Sequence, residues 1–302
     1  MREPFDDQFG VEVAGGILHV ARAGLPPDRT ECLVLAVHGV TASLMTWRTV
    51  ARKLAEKARV SFLAPDLRGR GRSATLPGPY GIETHVNDMI AVLDHVGARR
   101  AVLVGHSLGA YVVERLAVEH PERAASLVLL DAGLPLPPPD NPDEMMRTAV
   151  AQAVMRLGIG FTSAEAYVDA WRSHPAFTQA WDDDVEAYAR YDLVKNVNSV
   201  RCIASPDAVR ADSAEMVLDD MTRTALDRVP AQNRVHVLRA ERGLFDDNDY
   251  PLIPVDDLRA FAAEHPEAHV EEVPGVNHYT LVMGHSPGPD RVVAAIEDAC
   301  SR

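Results

Sequence analysis

The chain is poor in cysteine and lysine and has no long apolar run. Its three cysteines, Cys32, Cys202 and Cys300, are odd in number, far apart and without metal-ligand spacing. Neither a disulfide framework nor a zinc site is therefore expected, and the thiols read as buried or idle. Lysine occurs only at positions 53, 57 and 195, so arginine supplies nearly all the basic charge, and the formal net charge is -14. Phosphate binding needs a locally basic surface, which argues against a nucleic-acid partner. No stretch approaches the length of a membrane span, which argues against a membrane partner. The opening residues, Met1-Arg2-Glu3-Pro4-Phe5-Asp6-Asp7, are acidic where a secretory signal is basic and then apolar, so a cytoplasmic location is expected.

What is present is the composition of an ordinary globular protein, 47% hydrophobic and 25% charged over 302 residues. Such a length can bury a large core, either as one sizeable domain or as a core with an inserted subdomain. Residues 9 to 23 read as two short strands around Ala14-Gly15-Gly16. Cys32 to Val37 is a continuous apolar run, as expected of a strand buried on both faces, and Trp47 to Ala58 follows with helical periodicity. The next pairs are Val60 to Ala64 with Glu83 to Val96, and Ala101 to Val104 with Ala110 to Glu119, after which Leu127 to Leu130 adds a strand.

This alternation implies crossover connections, and so an α/β fold with a doubly wound, mostly parallel sheet. It stops at Pro135-Leu136-Pro137-Pro138-Pro139-Asp140, whose prolines neither continue a helix nor pair inside a sheet. From about 142 to 227 the pattern is helical, as in Met145 to Leu157 and Ala164 to Trp171, with no strand expected. Alternation resumes with Arg234 to Leu238, Pro254 to Glu264, His269 to Val273 and Asp290 to Cys300. The expected division is residues 1–133 as the first part of the core, 134–227 as an inserted helical lid, and 228–302 as the rest of the core. In an open sheet of this kind ligands bind beyond the carboxyl ends of the strands, so the loops that follow them share one rim.

The rim carries Gly105-His106-Ser107-Leu108-Gly109, directly after one strand and before a helix. Glycines at both ends let strand and helix approach closely, and Ser107 sits at the apex of a sharp turn. The helix N-terminus supplies backbone N–H groups for negative charge developing on a bound carbonyl oxygen. In the loop His38-Gly39-Val40, the Val40 N–H is placed to face the same oxygen as the Leu108 N–H, while His38 reads as a tether of that loop. The loop Asp66-Leu67-Arg68-Gly69-Arg70-Gly71-Arg72-Ser73 offers arginines that either clamp an anion or organise the loop, one of them pairing Asp66, and the structural role is favoured. His278, after Gly275, stands just past the final strand, where it can take a proton from Ser107. Two loops offer a carboxylate to that imidazole: Asp131 ends one strand on the rim, and Asp246, Asp247 and Asp249 follow the next strand at a greater distance, Asp246 being the first of them. Asp131 is favoured.

Together the His38-Gly39 loop, the Asp66-x-Arg68-Gly69-x-Gly71-x-Ser73 loop, the Ser107 elbow, the Gly275-x-x-His278 loop and the helical lid between resemble the α/β-hydrolase superfamily over nearly the whole chain. The resemblance implies Ser107 as nucleophile, His278 as base and then acid, and the N–H groups of Val40 and Leu108 as oxyanion donors. It implies neither cofactor nor metal. Most relatives carry the acid as Gly-x-x-Asp after the penultimate strand, where this chain has Ala240-Glu241-Arg242-Gly243. Others carry it two dozen residues past the nucleophile, which is where Asp131 lies.

Epoxide hydrolases and haloalkane dehalogenases of the superfamily attack with aspartate, because water must later open an ester, and a serine would leave a stable ether. Acyl transfer to water is therefore the expected chemistry, on a small or medium carboxylic ester, lactone or thioester. Carbon–carbon bond hydrolysis and perhydrolysis use similar triads, and a hydrolase-like ligand receptor with little turnover is a further alternative. The partner expected in each case is a small molecule. The aromatics Phe161, Tyr167, Trp171, Phe177, Trp181, Tyr188 and Tyr191 in the lid either line an apolar pocket or bury the lid against the core.

Overall fold

Alternation of side chains along the central strands decides the architecture. Strands β3 (Cys32–Val37), β5 (Ala101–His106) and β6 (Ala124–Leu130) send Val34, Ala36, Val102, Val104, Val128 and Leu130 into one buried cluster. Leu33, Leu35, Val37, Leu103, Leu127 and Leu129 enter another, on the opposite face. With both faces covered these strands are apolar throughout, as parallel strands require. A computed structural model of the chain describes residues 3–57, 59–136, 140–141, 144, 157–195, 197–285 and 287–301.

The hairpin β1 (Asp7–Val13) and β2 (Gly16–Gly24) opens an eight-stranded sheet, which β4 (Val60–Pro65), β9 (Arg234–Arg242) and β10 (His269–Asn277) complete in the order β1-β2-β4-β3-β5-β6-β9-β10. The β1–β2 and β2–β4 pairings are antiparallel and the remainder parallel. Helices α1 (Arg48–Lys57) and α9 (Gly288–Cys300) cover one face. Helices α2 (Ile82–His95), α3 (Leu108–Glu119) and α8 (Val255–Glu264) cover the other. The doubly wound, mostly parallel α/β fold read from the sequence is the fold observed.

Between β6 and β9 lie α4 (Ala164–Arg172), α5 (Asp183–Tyr191), α6 (Pro206–Leu218) and the short α7 (Asp220–Arg223). The expectation of no strand in this insertion is corrected: β7 (Leu193–Lys195) pairs antiparallel with β8 (Val200–Cys202). Each is three residues long, too short to leave an alternating pattern. The helix expected over Met145 to Leu157 falls almost wholly outside the described residues. Trp171 packs edge-on to Phe177 and Tyr188 with centroids 5.7 Å apart in both cases, and all three are buried. Most of the aromatics thus form the junction of insertion and core, and Tyr188 also faces a cavity. Asp184 of α5 accepts from Arg48 Nε at 3.0 Å and Arg52 Nη2 at 2.5 Å, tying the insertion to α1.

The expectation of idle thiols is corrected as well. Cys32, at the start of β3, and Cys300, at the end of α9, form a disulfide across a sequence separation of 268, and Cys202, outside that disulfide, is buried. Spacing along the chain could not reveal it, because the final helix α9 returns the C-terminal end to the first buried strand. Such cross-links persist in oxidising surroundings, which bears against the cytoplasmic expectation. No helix among the described residues is long and apolar enough to cross a membrane. Thiol titration of the denatured, unreduced protein is expected to find one reactive cysteine per chain rather than the three that the sequence holds. Cys300→Ser should lower unfolding free energy by about 2–5 kcal/mol, read from denaturant titration.

Candidate active site

Ser107 sits where β5 becomes α3, with φ 57° and ψ -124°, a conformation that a residue with a side chain rarely adopts. The turn is held because α3 lies against the sheet with no room for side chains. A Cβ on Gly109 would lie 2.0 Å from the Val37 carbonyl oxygen, and one on Gly105 2.3 Å from the Gly109 oxygen. The Ser107 N–H donates to Leu130 O at 3.1 Å, which fixes the apex to β6. Leu108, one of the two expected oxyanion donors, is the first residue of α3.

Val40, the other, follows β3. Here the neutral His38 ring does the work expected of a tether. Its Nε2 accepts the Leu67 N–H at 3.0 Å, so Nδ1 carries the proton and donates to Gly39 O at 2.9 Å. The Gly39–Val40 peptide is planar and trans, so holding its carbonyl oxygen to His38 turns the Val40 N–H the opposite way. Burial pushes the His38 pKa down to about 3, which keeps the ring a neutral brace. A Cβ on Gly39 would stand 3.1 Å from the Ser107 Cβ, a tight contact against the serine.

Asp131 and His278 meet. The fully buried Asp131 follows β6, accepts the Ala240 N–H on Oδ1 at 2.9 Å, and accepts His278 Nδ1 on Oδ2 at 2.7 Å. With Nδ1 donating, Nε2 of His278 keeps its lone pair, and His278 shares one cavity with Ser107. Asp246 does not reach His278. Its Oδ2 pairs with Arg242 at 2.9 Å and its Oδ1 accepts from Asn277 Nδ2 at 2.9 Å, so it braces the residue before the histidine. Asn277 in turn accepts the N–H groups of Tyr279 and Thr280, each at 3.0 Å.

Two residues were missed in the sequence. His106, inside the serine motif, donates from Nε2 to the His278 carbonyl oxygen at 2.9 Å and stacks near that ring with centroids 4.4 Å apart. Burial, then the nearby His278, hold its pKa well below the usual range, so it too is a neutral brace. Its position between Gly105 and Ser107 was the only signal. Tyr191 of α5 is the second: its hydroxyl donates to Asp66 Oδ2 at 2.6 Å. The expectation that an arginine side chain pairs Asp66 is thereby corrected, for the Leu44 and Arg72 N–H groups supply the other hydrogen bonds at 2.8 Å each. Burial, only partly offset by these donors, pushes the Asp66 carboxyl up to about 6. The arginines of this loop have other tasks. Arg68 pairs with Asp88 at 2.7 Å, and Arg70 with Asp212 at 2.5 Å.

Ser107 opens onto two cavities. The larger, 370 Å³, is lined by Val40, His278, Tyr188, Phe245 and Tyr279 among others. The smaller, 220 Å³, is lined by Tyr111, Leu134, Leu136, Met216 and Ile253 among others, together with Asp131 and Asp257. Leu252 borders both, and among the described residues no lysine or arginine lines either. Among the described residues no three His, Cys, Asp or Glu side chains cluster as a metal site.

A protein-family profile described as alpha/beta hydrolase fold matches residues 33–157. Lipase LipV of Mycobacterium tuberculosis (strain ATCC 25618 / H37Rv) is 41% identical over 119 residues, 39% of this chain and 43% of the lipase. Epoxide hydrolase B of the same strain is 40% identical over 110 residues, 36% of this chain and 31% of that protein. These alignments span less than half the length of either curated relative. The crystal structure of E-2-(acetamidomethylene)succinate hydrolase superposes with a TM-score of 0.76 at 21% identity, over 97% of this chain and 98% of that one, a likeness of fold.

The contact of α3 with the sheet has a measurable consequence. Gly109→Ala should destabilise the protein by about 3 kcal/mol in guanidinium unfolding, because its methyl meets rigid backbone rather than a side chain that can move. An unchanged midpoint would show that α3 can retreat.

Proposed function

We propose that this chain, whose fold is that of the α/β hydrolases and whose residues 33–157 match their profile, is a serine hydrolase that cleaves neutral carboxylic esters, lactones or thioesters through an acyl-enzyme on Ser107. The observation that carries this reading is the Asp131–His278 hydrogen bond of 2.7 Å beside a serine held at φ 57° on the same cavity. Ser107 Oγ attacks the carbonyl carbon while His278 Nε2 takes its proton. Asp131 holds the imidazole in the tautomer that can do so and stabilises the imidazolium that forms. The Val40 and Leu108 N–H groups donate to the oxyanion as the carbonyl π bond breaks. His278 then returns the proton to the leaving group, the tetrahedral adduct collapses, and water repeats the sequence to release the acid.

Proton return also assigns the cavities. The leaving group must depart beside His278, and so occupies the larger, aromatic cavity that His278 lines. The acyl group stays on Ser107 and extends into the smaller one, away from the base. With no cationic side chain among the described residues lining either and Asp257 at the smaller, an acyl carboxylate would be desolvated without a partner there. Similarity to an epoxide hydrolase does not favour epoxide opening here. An alkyl ether on Ser107 would lack the carbonyl that the second, hydrolytic step attacks.

Turnover of aryl esters tests the reading. Wild type should hydrolyse an aryl butyrate and Ser107→Ala should not. Asp131→Asn should lower kcat by about 10,000-fold, whereas Asp246→Asn should cost far less. A butyrate should react at least about tenfold faster than a hemisuccinate with the same leaving group, a difference of about 1.4 kcal/mol. A crippled Asp246 variant beside an active Asp131 variant would reverse the assignment of the acid.

A further inference from the structure

Val40 stands between two immobilised peptide planes, and the two are held by different parts of the chain. His38 holds the one before it. The one after it is held by Arg70, whose Nε and Nη2 both donate to the Val40 carbonyl oxygen, at 2.9 and 2.8 Å. The guanidinium is completely buried, and its remaining nitrogen donates to Arg68 O at 2.9 Å and pairs with Asp212 at 2.5 Å. Asp212 lies on α6, within the insertion. Its carboxylate also accepts the Gly81 N–H at 2.8 Å and His85 Nε2 at 3.0 Å, so every oxygen is engaged.

Resting on the hydrolase reading above, we propose that Asp212 is a positioning residue for this reaction, acting through Arg70 to hold the Val40 peptide in the orientation that donates to the oxyanion. The insertion then does more than roof the site. Its α6 seat completes the donor geometry, and a displaced α6 would leave Ser107, His278 and Asp131 assembled but one oxyanion donor loose.

Three physical points support the assignment. A buried ion pair is a poor stabiliser, because desolvating two charges cancels most of their attraction, so apolar packing could seal this contact as well. A planar arginine fork, in contrast, fixes the direction of an acceptor, and here the acceptor is the carbonyl of the donor residue itself. Burial alone would raise the Asp212 carboxyl, but His85 and Arg70 hold it down at about 2, so the clamp stays charged wherever ester turnover is assayed. The contact is also sterically tailored. A Cβ on Gly69 would lie 2.6 Å from the Ala208 Cβ of α6, and the Ser205 N–H donates to Gly69 O at 2.8 Å.

A matched control exists in the same loop. Arg68 and Asp88 form a second buried pair at 2.7 Å, but the free guanidinium nitrogen of Arg68 donates to Ala14 O and Pro77 O and does not touch Val40. The test compares Arg70→Met, Arg70→Lys and Asp212→Asn with Asp88→Asn. Each is assayed for melting temperature, kcat and KM on an aryl butyrate, and affinity for an alkylboronic acid, which forms a tetrahedral adduct on the serine. Loss of donor alignment should lower kcat by about 10- to 100-fold, less than the 100- to 1,000-fold typical of deleting a donor outright. KM should stay within about threefold and boronate affinity should fall with kcat. Asp88→Asn should lower the melting temperature while leaving kcat and boronate affinity near wild type. Arg70→Lys keeps the charge without the fork and serves if the methionine variant does not fold; it should still lose about tenfold in kcat. Variants of Arg70 and Asp212 that lose only stability, as Asp88→Asn does, would overturn the inference while ester hydrolysis by wild type keeps the hydrolase reading intact. Absence of wild-type turnover above Ser107→Ala would overturn both.

Discussion

The contact on which the site depends is the approach of α3 to the ends of β3 and β5. No atom beyond hydrogen fits on Gly109 against the Val37 carbonyl, and none on Gly105 against the Gly109 backbone. With helix and strand this close, the one residue able to turn the chain is Ser107, and it takes a positive φ. That strain is local, yet it sets the frame for everything else. Because β5 lies between β3 and β6, the loop bearing Val40 reaches the serine from one side and Asp131 from the other. His278 comes from the sheet's far edge, where β10 flanks β9 and ends level with it, and is carried inward by the Asn277 turn.

Around this frame the histidines divide their labour by burial and by hydrogen bond. His38 and His106 are sunk in the protein, each holds a backbone carbonyl through one ring N–H, and desolvation keeps each neutral. Neither competes for a proton. The His278 ring faces a fully buried carboxylate at the serine, so the charge of an imidazolium has a place to be balanced. The same economy governs the carboxylates. Asp131 and Asp212 each accept backbone N–H as well as side-chain donors, while Asp246, outside the cavity, braces a turn.

The insertion is bound to the core by an apolar junction and, beside it, by buried polar contacts. Asp184 with Arg48 and Arg52, Tyr191 with Asp66, and Asp212 with Arg70 and His85 each join an insertion helix to a core element. Contacts of this type contribute modestly to stability but strongly to orientation, because each is satisfied in one geometry and costly in others. They fit a roof that must sit in register over two cavities. The apolar aromatics beneath it exclude water, and the polar ties decide where it rests.

Much of this was legible in the residues alone, and the boundary is physical. Apolar runs and helical periods are local properties, so the α/β alternation, the turn at Ser107 and the histidine after the last strand could be read without coordinates. The short pair β7 and β8 lay below the length at which a period exists. Partnerships between distant side chains were a different matter. Asp131 and Asp246 had the same chemistry and stood on adjacent strand ends; only the register of β6 against β9 brought one of them to a histidine 147 residues away. Cys32 met Cys300, and Asp66 met Tyr191 rather than an arginine, because crossovers decide which chain ends and helix faces become neighbours. The sequence by itself determined the elements, the strained serine and the kinds of group available to it. Tertiary structure alone decided which carboxylate, which arginine and which cysteine found a partner, because such contacts depend on angles and registers summed over the whole sheet.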